Sequence, residues 1–135
     1  MARQRKRDGR LPPFVPLSWE LLNSSAYKEL KHSSAKALPF FLGKPKCPST
    51  DRAYYTTVFN FSYAEAKRLG FARSTYAGVI RNLVEKGLVD PVEKGGLRGD
   101  GNSCSLFRLS NRWKEYGKPS FKRLTWEGFF SLKAV

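Results

Sequence analysis

One stretch, from Phe61 to Leu109, constrains what this chain can fold into more than any other. It opens with Ser62-Tyr-Ala-Glu65, the spacing of a capping box: the hydroxyl accepts one backbone N–H and the carboxylate reaches back to another. A short helix is expected from there to Gly70. Ser74 is placed to cap a second helix, on which Tyr76, Val79, Ile80 and Leu83 recur at i, i+3, i+4 and i+7, the spacing of one buried stripe. Gly87 is placed to end it, because a helix stop favours a residue that accepts positive φ. Two β-like runs follow, Leu88–Glu93 and Ser103–Leu109, joined by the glycine-rich segment 94–102. The expected order is therefore helix, tight turn, helix and basic hairpin.

The flanking chain divides around this stretch. Residues 1–13 read as a flexible basic arm, with Arg5, Lys6 and Arg7 as candidate phosphate contacts. Residues 14–121 read as one domain. Phe14-Val-Pro-Leu17 is an extended anchor, and Ser18 is placed to cap a turn over Trp19–Leu22. One helix is expected from about Ser25. Another is expected from Ser33 or Ser34, carrying Ala37, Leu38, Phe40, Phe41 and Leu42, with Pro39 either in its first turn or kinking it. Residues 44–52 are a loop. Tyr54–Phe61, rich in aromatic and β-branched residues, reads as a strand. Residues 111–121 should pack back on the domain. Residues 122–135 form an apolar tail with Leu124, Trp126, Phe129, Phe130 and Leu132. It either folds back over the core or docks on a protein partner or a second copy, and its irregular aromatic spacing favours folding back.

Charge decides the class of partner. Twenty-five Lys and Arg against eleven Asp and Glu give +14, a field that attracts polyanions and makes association fast and salt-sensitive. Nucleic acid is the first candidate, ahead of an acidic membrane surface and an acidic protein. No run approaches the ~18 apolar residues of a membrane span. The basic start has no apolar region behind it, so no secretory signal is expected; a cytoplasmic location is expected from two cysteines that read most simply as reduced thiols. Two cysteines, Cys47 and Cys104, lie far apart and form no metal-ligand pair.

On the second helix, Arg73, Ser74, Ala77, Gly78, Arg81 and Asn82 fall outside the apolar stripe. Arginine can fork to guanine O6 and N7, and asparagine can pair with adenine N6 and N7. Arg73 and Arg81 are the principal candidates, Asn82 a further base reader, and Ser74, Thr75 and Tyr76 candidate phosphate contacts. Ala77 and Gly78 offer little to hydrogen-bond, so the reading face is thin. Lys94 and Arg98 among the hairpin glycines are candidate backbone or minor-groove contacts. His32 is the only histidine and suits a surface or capping place. No catalytic, metal-binding or cofactor motif is present, and no enzyme activity is expected.

Together, Gly70-Phe-Ala-Arg-Ser-Thr-Tyr-Ala-Gly-Val-Ile-Arg-Asn-Leu-Val-Glu-Lys-Gly-Leu-Val-Asp90 resembles the turn, recognition helix and wing entry of the winged helix-turn-helix superfamily. Leu83-Val-Glu-Lys-Gly-Leu-Val89 is its most specific part. Leu21-Leu-Asn-Ser-Ser-Ala-Tyr27 and Asn111-Arg-Trp-Lys-Glu-Tyr-Gly117 more loosely resemble small proteins of bacterial phage, plasmid and other mobile-element modules. The resemblance spans about Pro16 to Phe121. It implies an α+β winged helix with extra N-terminal helices and a basic arm, and a double-stranded DNA-binding regulator or replication-module protein. Its recognition helix would enter the major groove while the wing lies on the backbone or minor groove. Two rivals are an interaction subunit of a protein or ribonucleoprotein assembly, and an RNA-binding accessory protein stacking bases on Tyr54, Tyr55, Phe59 and Phe61.

Overall fold

The computed structural model describes residues 13–93 and 105–126. Their order is α1 (Trp19–Leu22), α2 (Ser25–Lys28), α3 (His32–Leu42), β1 (Phe59–Asn60), α4 (Tyr63–Arg68), α5 (Arg73–Glu85), β2 (Val89–Glu93) and β3 (Leu106–Leu109). Short 3-10 turns cover Arg52–Tyr55 and Arg112–Glu115. The fold is α+β, with a three-stranded antiparallel sheet in the order β1-β3-β2. None of the described helices is long and apolar enough to cross a membrane.

Local chemistry sets most boundaries. Ser18, Ser24 and Ser62 each accept a backbone N–H at 3.1 Å and so cap α1, α2 and α4. The Glu65 carboxylate, expected to reach back within its capping box, pairs instead with Lys44. Helix α4 stops at Gly70, whose φ is +100°. There the Phe71 N–H donates to Ala66 O and the Gly70 N–H to Lys67 O, the paired bonds of a Schellman stop. The same pattern ends α5 at Gly87, where Leu88 N–H donates to Leu83 O. Gly87 is required twice over: its φ is +85°, and a Cβ would sit 2.7 Å from Trp113 N.

Two expectations about elements are corrected. Helix α5 begins at Arg73 with Ala72 as its cap residue. Ser74 is therefore inside the first turn, because the Gly70 stop releases the chain early enough for the helix to start two residues sooner. The expected strand over Tyr54–Phe61 shrinks to Phe59–Asn60. Asp51 accepts the Ala53 N–H at 2.9 Å, and the Thr57 hydroxyl donates to Ala53 O at 2.7 Å. These side-chain bonds hold residues 52–55 in a turn despite their β-prone composition. Pro39 lies beyond the first turn of α3, which continues past it to Leu42.

The core lies between α3, α5 and the sheet. Phe41 is its hub, with ring centroids 4.6 Å from Phe61, 5.8 Å from Phe107 and 6.2 Å from Phe59. Leu38, Val79 and Leu83 complete the α3–α5 contact and are fully buried. On the central strand Phe107 pairs with both Phe59 and Pro91. Pro91 is tolerated because β2 is an edge strand, and the register shifts between Pro91 and Glu93.

Residues after β3 fold back, as expected for 111–121. Trp113 is buried. Arg112 donates from Nε to Asp90 at 2.7 Å, from Nη2 to Val84 O at 2.9 Å and from Nη1 to Lys122 O at 2.9 Å. One guanidinium thus ties α5, β2 and the C-terminal segment together. Trp126 is buried and stacks on Phe107 at 5.5 Å. The start of the tail therefore covers the core, while Phe129, Phe130 and Leu132 lie outside the described residues.

Candidate nucleic-acid interface

Helix α5 is held against the domain by residues that sequence spacing assigns in part. Tyr76, Val79 and Leu83 are buried and Ile80 is half-buried, so the expected stripe is the packed face. Opposite them, Arg73, Ser74, Thr75 and Arg81 are exposed, with Ala77 and Gly78 half-buried between. A Cβ on Gly78 would meet nothing within 4 Å among the described residues.

Two of the proposed contacts prove to be structural. Asn82 is buried, and its Oδ1 accepts the Lys31 backbone N–H at 3.0 Å. It faces α3 because α5 is packed against both α3 and β2, which widens the buried arc beyond a single stripe and takes in Val84 as well. Tyr76 is also buried, its hydroxyl donating to Phe61 O at 2.7 Å and its ring lying 5.4 Å from Phe61. Neither side chain is available to a base or phosphate.

The first turn of α5 is the most open part of the helix. No side chain caps it, so its leading N–H groups are left to solvent or to an anion, reinforced by the helix dipole. The Arg73 guanidinium lies 4.8 Å over the Tyr63 ring, which fixes the cation at the mouth of the α4–α5 turn. Lys36, from α3, reaches the same turn: its Nζ is 5.0 Å over the Phe71 ring. Lys67 and Arg68 are exposed at the end of α4. Sequence reading did not single out these three. Lys67 and Arg68 are visible as basic residues closing a helix, whereas Lys36 joins them only through the tertiary packing of α3.

The other candidates fall elsewhere. Lys94 and Arg98 of the hairpin, and Arg5, Lys6 and Arg7 of the basic arm, lie outside the described residues. Tyr54, Phe59 and Phe61 are buried and Tyr55 is half-buried, which removes the exposed aromatic sheet on which the RNA-stacking alternative depended. Burial pushes the Tyr54 phenol up to about 12, with Tyr55 and Cys47 adding to the rise. Its hydroxyl donates to Leu42 O at 3.3 Å. His32 is exposed and adjoins the α3 cap residue, Lys31. Among the described residues no group of three or more His, Cys, Asp or Glu could hold a metal ion. No protein-family model, curated protein or solved structure matches the chain.

Proposed function

We propose that the chain is a small winged-helix protein that binds double-stranded DNA without catalysis, mainly through phosphates. The observation that carries this reading is the first turn of α5: exposed, uncapped and flanked by Arg73 and Lys36. Its N–H groups and cations suit phosphate oxygens. The order α3-β1-α4-α5-β2-β3, with the sheet arranged β1-β3-β2, supports the winged-helix reading. In that architecture the second helix of the pair enters the major groove and the first crosses the backbone, which suits Lys67 and Arg68. Gly78 adds to this. A mid-helix glycine costs about 1 kcal/mol relative to alanine, and nothing among the described residues crowds its position, so its small size favours close approach by a partner. The net charge of +14 supplies the attraction. A regulator or a replication-module protein of a bacterial mobile element is the role that fits the resemblance.

The test compares two kinds of substitution on α5. Arg73→Ala and Arg81→Ala should each weaken binding to a labelled duplex while costing no more than ~1 kcal/mol of stability, the size of the contact that Arg73 gives up with Tyr63. Leu83→Ala should cost ~2–5 kcal/mol of stability through the cavity it leaves. Duplex affinity unchanged in both arginine variants would overturn the placement of α5 in the groove.

A further inference from the structure

A groove of about 1150 Å³ opens beside the last turn of α4, and no residue of α5 lines it. One wall is the end of α3 and the last turn of α4, with Phe40, Leu42 and Leu69. The other is the extended segment bearing Phe14 and Val15. Val15 is seated on α3, since a Cβ on Gly43 would come within 3.2 Å of Val15 Cγ2. The wall is therefore packed against the domain. Phe14 is 69% exposed and Phe40 43% exposed. Two uncovered rings lining one groove suit a binding surface, since exposed apolar area rimmed by polar residues marks interaction sites.

The charges around the groove are one-sided. Lys44 is neutralised by Glu65. Lys46 and Arg68 also line it, are exposed, and form no ion pair with another described residue. We propose that this groove binds an acidic, apolar segment of a protein partner, whose hydrophobic side chains cover Phe14 and Phe40 while its carboxylates meet Lys46 and Arg68. A second copy is a poor occupant, because it would bring another chain of +14 against these cations. A nucleic-acid strand would satisfy the cations but leave Val15 and Leu69 without apolar cover. Arg68 is shared with the duplex-binding reading, but the first turn of α5, which carries that reading, lies outside the groove, so Arg73→Ala and Arg81→Ala test it separately.

Fluorescence anisotropy tests the proposal with the full-length protein at physiological salt. The probe is a short labelled peptide in which Leu and Phe alternate with Asp and Glu. One control replaces the apolar residues with Ser, and another replaces the acids with Lys. The first peptide should bind, with both controls at least ~10-fold weaker, equivalent to about 1.4 kcal/mol. Phe40→Ser and Arg68→Glu should each weaken it by a similar factor, and Arg81→Ala should leave it unchanged. Equal binding of the Ser control would reduce the effect to net charge and overturn the proposal. So would unaltered affinity in both groove variants. Tighter peptide binding by a Phe129→Ser/Phe130→Ser double variant would also overturn it, by making the chain's own C-terminal residues the occupant.

Discussion

Asn82, on α5, accepts the backbone N–H of Lys31 at 3.0 Å and so closes the start of α3 from a helix 51 residues away in sequence. Lys31 has no side-chain cap of its own. The bond makes the α3–α5 pairing directional where apolar packing alone would allow sliding. Asn82→Ala should therefore cost about 1–2 kcal/mol, since it strands one donor and removes a buried partner. Urea denaturation measures this directly, and duplex affinity of the folded variant should be unchanged. A variant of normal stability with impaired DNA binding would return Asn82 to the groove.

Ser34 provides the opposite case. It is fully buried within α3, and its hydroxyl has no hydrogen-bond partner among the described residues. An unsatisfied buried hydroxyl costs roughly 1–3 kcal/mol. Ser34→Ala should thus hold or raise stability, by up to about 1 kcal/mol, and lift the melting temperature. A clear loss of stability would mean that the hydroxyl is satisfied.

Tyr54 sets a pH limit. Its phenol is raised to about 12 by burial, while the unfolded chain titrates near the ordinary value of about 10. Below pH 10 both states hold the proton and the contribution is complete. Between 10 and 12 the folded state holds more protons, so stability falls as pH rises, by an amount of the order of 2 kcal/mol. Denaturation curves across this window should show a steeper loss for the native chain than for Tyr54→Phe. Parallel curves would contradict the assignment.

Signals that act within a few residues were legible in the sequence. The caps at Ser18 and Ser62 and the stops at Gly70 and Gly87 depend on neighbouring backbone groups, and spacing alone locates them. Residues whose place depends on distant packing were not. A single apolar stripe puts Asn82 outside, yet α5 touches α3 on one side and β2 on another. Tyr54 looks like a strand residue until Asp51 and Thr57 lock the turn around it. Lys36 joins the candidate interface only because α3 brings it over Phe71. The Phe14–Phe40 groove is likewise assembled from segments that share no local pattern.

The proposed hold on duplex DNA through neutralised phosphates is tested most directly by a salt titration of affinity. Each phosphate contact releases condensed counterions, so log affinity against log salt should fall with a slope of roughly −0.9 per contact. Binding to unrelated duplex sequences should show the same steep line, flattened in Arg73→Ala and Arg81→Ala. Absence of binding at low salt, or an affinity indifferent to salt, would contradict the account.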